Sequence, residues 1–107
     1  MANNYKNVKL DLTATTVTTL YTAPAATQSI FKSILVSNDS SSADTITITI
    51  TNSASAVFSV YKLEEIGALS TEELLKSPLI VMESEILKVT ATNANRLHVV
   101  GSFLEIS

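Results

Sequence analysis

Cysteine and tryptophan are absent from this chain, and glycine and proline occur only twice each. Without cysteine there is no disulfide framework and no thiolate metal site. Gly67 and Gly101 are too few and too far apart to form a phosphate-cradling loop, and no G-x-S-x-G nucleophile elbow is present. Three Tyr and three Phe leave little aromatic surface for stacking sugars, which argues against a glycan depolymerase. Basic charge is scarce as well: seven Lys and Arg, unclustered, in a chain of net charge −3. Nucleic-acid binding needs a basic stripe to displace counterions, and a membrane-surface helix needs a basic face. Neither is here, so neither partner is expected. No apolar run approaches membrane-spanning length. The opening Met-Ala-Asn-Asn-Tyr-Lys carries no apolar leader segment, so the expectation is a soluble protein made in a cytoplasm.

What the chain does hold is β-forming residues. Hydrophobic residues make up 46% of its 107 positions, charged residues only 16%, and Ser and Thr together number 28. A domain of this size buries roughly 60–70% of its unfolded surface, so residues 1–107 read as one domain with one core. The strongest segment is Asp44–Thr51, D-T-I-T-I-T-I-T. Thr45, Thr47, Thr49 and Thr51 fall on one face of an extended strand, and Ile46, Ile48 and Ile50 on the other. All but Asp44 are β-branched, which disfavours helix and suits a pleated surface. The isoleucine face is expected to be buried and the threonine face to point outward.

Further alternating segments are Tyr5–Leu12, with Val8, Leu10 and Leu12 inward, Thr15–Tyr21, Ser29–Ser37, Val57–Leu63, Leu79–Met82, Ile86–Thr92 and Leu97–Ile106. In Ser29–Ser37, strict alternation puts Ile30, Lys32, Ile34 and Val36 on one face and Phe31, Ser33, Leu35 and Ser37 on the other. Pro24 marks a corner, Asn38–Ala43 a tight turn, and Gly101 a bulge. Between Glu64 and Pro78, Ser70-Thr71-Glu72-Glu73 has capping-box spacing, which predicts one or two helical turns ended by Pro78. The fold class is therefore all-β: an antiparallel β-sandwich or jelly roll of about eight strands, with one short helix in a loop.

No catalytic constellation emerges. His98 is the only histidine, and its sequence neighbourhood offers only Arg96. Asn38, Asp39 and Asp44 present oxygens, but their spacing matches no calcium loop and turn chemistry accounts for them. Glu64, Glu65, Glu72, Glu73, Glu83 and Glu85 are carboxylates flanking turns, with nothing to fix two of them across a cleft. The expectation is no enzyme, no metal and no cofactor. Phe31, Leu35, Val57 and Tyr61 lie on the second faces of strands whose first faces are already apolar. Two readings stand for these four: a core between two sheets, or a subunit interface.

Leu20-Tyr21-Thr22-Ala23-Pro24-Ala25 is followed by Ser33-Ile34-Leu35-Val36-Ser37-Asn38, then Pro78-Leu79-Ile80-Val81, Ile86-Leu87-Lys88-Val89-Thr90-Ala91 and the ending Ser102-Phe103-Leu104-Glu105-Ile106. This order resembles a group of small β-sandwich virion proteins of tailed bacteriophages, over residues 20 to 107. That group has a Y-x-x-P-A corner leading to an SI-x-V-x-N strand. A later hairpin leads to a strand ending S-x-L-E-I. Where the group often has a Gly-Asp turn, this chain has Ser84-Glu85, and the Glu64–Ser77 segment matches no motif. The resemblance implies a structural protein of the virion, assembled in the host cytoplasm, that decorates or cements the head. Its implied form is a homotrimer bound to the major capsid protein or another virion protein at local three-fold positions. A tail, neck or fibre component is the alternative.

Overall fold

The structure, a computed structural model, describes residues 3–107; Met1 and Ala2, which open the segment read above for a leader, lie outside the described residues. The strands are β1 (Asn3–Asp11), β2 (Thr18–Thr22), β3 (Gln28–Asn38), β4 (Asp44–Thr51), β5 (Val57–Ile66), β6 (Thr71–Glu73), β7 (Leu79–Val81), β8 (Ile86–Ala91) and β9 (Leu97–Ile106). They form two antiparallel sheets. Sheet A runs β1-β9-β3-β6, with β7 paired to the same edge of β3 further along; sheet B runs β2-β8-β4-β5. The protein is all-β, and the two sheets share one core in a sandwich-like arrangement. That core is built from Leu20, Phe31, Ile34, Val36, Ile46, Ile48, Leu87, Val89, Leu97 and Val99, among others.

The threonine–isoleucine strand is β4. Ile46 and Ile48 are fully buried, Ile50 is half-buried, and Thr45, Thr47 and Thr49 are half-exposed. Thr51 is buried, although its unbroken register with β8 keeps it on the threonine face. The pairing of β4 with β5 shifts register twice, between Ile46 and Ile48 and again between Ile48 and Thr49, and Thr51 is buried with no hydrogen-bond partner for its hydroxyl.

Two expectations fail for the same physical reason. β3 carries a bulge between Phe31 and Ser33 where it pairs with β9. One extra residue reverses the phase of the strand. Ser29 and Phe31 therefore point inward before the bulge, and Ile34, Val36 and Asn38 after it. Ile30 turns outward, away from the face it was assigned with Ile34. The bulge expected at Gly101 is absent: β9 alternates without interruption, with Leu97, Val99, Gly101, Phe103 and Glu105 all buried. Gly101 serves close approach instead. A Cβ there would stand 2.9 Å from Cε2 of Phe31 and 3.3 Å from Cγ1 of Val8. The glycine leaves room for the phenylalanine ring.

The predicted helical turn is also overturned: no helix occurs among the described residues. Thr71–Glu73 is strand β6, paired with Leu35–Ser37. The Ser70 hydroxyl donates to the Gly67 carbonyl at 2.7 Å, and Glu73 does not reach back to Ser70. Its carboxylate accepts the amide hydrogens of Ile34 at 3.0 Å and Leu75 at 3.3 Å, and the Ser33 hydroxyl. A capping box contributes about 1 kcal/mol. Pairing on an open sheet edge and burying Leu74, at roughly 1.5–3 kcal/mol, outweigh it. The extra strand raises the count from the expected eight to nine.

Candidate functional site

Of the four residues singled out for an interface, Phe31 is fully buried and stacks on Phe103, with ring centroids 4.7 Å apart. It is core and offers no surface. The other three do not form one patch. Leu35 projects from the outer face of sheet A, 38% exposed, whereas Val57 and Tyr61 belong to β5 at the edge of sheet B. Val57 is exposed; Tyr61 is half-buried and donates its hydroxyl hydrogen to the Leu74 carbonyl, tying β5 to the segment after β6.

The surface that contains Leu35 is ordered by strand register. In an antiparallel sheet, directly opposed residues project to the same side. On the outer face of sheet A, Tyr5 opposes Leu104, Leu104 opposes Ile30, and Ile30 opposes Ile80, giving one apolar row across β1, β9, β3 and β7. The next row is amide and hydroxyl, Asn7–Ser102–Ser33. The third is Lys9–Val100–Leu35–Glu73, and the fourth Asp11–His98–Ser37–Thr71. Tyr5 is 78% exposed and Ile80 52%; Ile30 and Leu104, between them, are half-buried. Sequence reading missed this row because the bulge in β3 hides which way Ile30 points. The outer face of sheet B is more polar: Thr19–Lys88–Thr49 form one row and Thr90–Thr47 another, while Ile86 and Val57 bring apolar groups into the row Thr22–Ile86–Thr51–Val57. Further exposed apolar side chains lie along β5 and the loop beyond it, where Val57, Phe58, Leu63 and Leu69 are each more than half exposed.

Several of the polar residues considered above have structural partners. His98 sits between two aspartates, with Nε2 3.3 Å from Asp11 Oδ1 and Nδ1 3.0 Å from Asp39 Oδ2, linking β9 to β1 and to the β3–β4 turn. Asn38 donates to the carbonyls of Ser42 and Ile66 and accepts from the Ser40 amide. Asp44 accepts from the Thr45 and Asn93 amides and the Asn93 side chain. Among the described residues no set of three or more His, Cys, Asp or Glu side chains is placed to hold a metal ion. Glu83 and Glu85 accept the amide hydrogens of Ala26 and Met82, which fixes turns.

One polar cluster was not anticipated. Glu105 points inward from β9 and is nearly buried. Lys6 Nζ stands 2.8 Å from its Oε1, and the Tyr21 hydroxyl donates to its Oε2 at 2.6 Å. Tyr21 also bonds Ser29 and packs its ring against Phe31 and Phe103, with centroids 5.3 and 4.6 Å away. The hydrogen bonds from Lys6 and then Tyr21 hold the Glu105 carboxyl below its ordinary range. Burial, then the bond to Glu105, pushes the Tyr21 phenol up to about 12. A carboxylate held ionised by a lysine and a phenol held neutral are a structural clasp between sheets. Neither is poised for proton transfer near neutrality.

No protein-family model matches this chain, and no curated protein matches it in sequence.

Proposed function

We propose that this chain is a structural protein of a tailed-phage virion, a jelly-roll module that cements the head by binding between capsid subunits. Strand order supports the jelly roll. Successive strands pass between the sheets except at the β4–β5 hairpin, and with β6 and β7 taken as two pieces of one interrupted strand the described residues form eight, four to a sheet, in the order of two interleaved Greek keys. That architecture is used by viral capsid and lectin domains. The phage-like motifs of residues 20–107 point to the virion.

The observation that carries the binding role is exposed apolar side chains on both sheets, the Tyr5–Ile80 row of sheet A and Val57, Phe58 and Leu63 on the β5 edge of sheet B. A small domain with apolar groups on that edge and an apolar row on the other sheet is suited to bridging, the edge meeting capsid protein and the row meeting a second copy or another subunit. Cementing is then geometric: a rigid module occupies the junction of subunits and adds buried contact area. Only 16% of residues are charged, so shape and apolar contact drive association and it survives raised salt. The test is to mix purified protein with undecorated heads and, separately, with isolated tails, and to sediment each at low and high salt. Cosedimentation with heads at both salts is expected. Cosedimentation with tails alone would replace the cement reading with a tail or neck role.

A further inference from the structure

We propose that the outer face of sheet A is closed by a second copy of this chain, related to the first by a two-fold axis parallel to the strands and midway between β3 and β9. Such an axis keeps each cross-strand row at its own height and reverses its order. The strand order β1-β9-β3-β6 then lies over its own reverse, and every row meets itself.

The rows are self-complementary under that operation. The apolar row places Tyr5 over the Ile80 of the second copy and Leu104 over its Ile30, on both sides of the axis. The Lys9–Val100–Leu35–Glu73 row places Lys9 against Glu73 at each end, with Val100 and Leu35 between them. Lys9 and Glu73 already lean toward the amide–hydroxyl row: Lys9 Nζ bonds Asn7 Oδ1 at 2.8 Å and Glu73 accepts from Ser33. The positive end of one copy thus meets the negative end of the other twice. Two charged groups meet no opposite charge across this axis: Asp11, which faces Thr71 of the second copy and keeps its own His98, and Lys32, at the bulge beside Tyr5, Asn7 and Ser102, whose exposed stem can carry its amine to solvent.

Size agrees as well. Four strands at ~4.8 Å and nine residues at ~3.3 Å span roughly 20 by 30 Å, about 600 Å² before side-chain relief is counted. A standard interface takes about 800 Å² from each partner. Two sheets meeting face to face in this way pack ~10 Å apart with strands nearly aligned, as inside a sandwich.

Light scattering after size exclusion tests the contact, with far-ultraviolet circular dichroism verifying that each variant is folded. The wild-type chain is expected at twice 11.4 kDa. Tyr5→Lys and Ile80→Glu, both at exposed positions, should each give monomers. The combined Tyr5→Lys, Ile80→Glu variant sets opposite charges against each other across the axis and should recover the dimer. Within one copy the two positions lie three strands apart, so the pair cannot form there. A monomeric wild type would overturn the proposal. So would a trimer, which favours the three-fold form implied by the resemblance, a dimer indifferent to Ile80→Glu, or a combined variant that stays monomeric.

Discussion

Tyr21 on sheet B donates a 2.6 Å hydrogen bond to Glu105 on sheet A, across 84 positions of sequence. The bond makes stability depend on pH at the acid end. The folded-state pKa of Glu105 is depressed, by its bonds to Lys6 and Tyr21. Its contribution is therefore present above the unfolded value, about 4.3, and is lost as pH falls through the folded value. Thermal midpoints of the wild type should drop below about pH 4. Glu105→Gln should be less stable at pH 7 and show a shallower acid decline. An unchanged slope would detach Glu105 from acid stability.

The alkaline limb runs the other way. The Tyr21 pKa rises from 10.0 to about 12 on folding. Its contribution is complete below 10 and is lost as pH rises through the window between those values. Tyr21→Phe should cost about 1–2 kcal/mol at neutral pH, since Glu105 loses one donor, and should flatten the decline in that window. Some decline should persist, because burial and then the nearby Glu64 and Glu73 charges also raise the Tyr61 pKa. Denaturant titrations from pH 8 to 12 check both points.

Gly101→Ala should destabilise by about 1–3 kcal/mol through the 2.9 Å approach to Phe31. Strain between two named atoms predicts coupling. The same substitution in a Phe31→Leu background should cost clearly less. Additive effects in the double-mutant cycle would mean that the glycine matters for another reason.

The parts of the fold legible in the sequence are those governed by local period. Asp44–Thr51 announces both its conformation and the burial of Ile46 and Ile48, because every side chain from Thr45 on favours a strand and the alternation is unbroken. The misses are those set by distant partners. Lys32 looks like an ordinary strand residue, yet the bulge beside it decides that Phe31 is core and Ile30 is surface. Ser70–Glu73 spells a helix start, and β3 offers those residues a free edge on which to pair. Of the apolar residues on the outer face of sheet A, the sequence marks only Leu35. Tyr5, Ile30, Ile80 and Leu104 become neighbours through register across four strands, which no window of sequence contains.

Ile48→Ala and Thr47→Ala test the two faces of β4. Ile48 has no exposed surface, and its truncation should cost about 2–5 kcal/mol where the surroundings cannot collapse. Thr47 loses one bond, the 3.1 Å hydrogen bond its hydroxyl accepts from the Leu63 amide, worth about 1 kcal/mol. Equal urea midpoints for the two variants would refute the assignment.

Glu73 gives the sharpest test of strand against helix. In the helical reading its carboxylate caps the Ser70 amide, and Glu73→Gln would be nearly silent, since glutamine serves a capping box too. In the observed strand the carboxylate accepts from Ile34, Leu75 and Ser33 at once. A glutamine amide has one oxygen for that work and presents a donor group where an acceptor is needed. Glu73→Gln should therefore cost about 1–2 kcal/mol, and Glu73→Ala, which strips the Ile34 amide of its partner, about 1–3 kcal/mol. Hydrogen exchange locates the effect. In both variants the Ile34 and Leu75 amides should exchange faster than in the wild type, while the Ser70 amide is unchanged. Faster exchange at Ser70 with Ile34 unaffected would restore the capping box and remove β6 from the sheet.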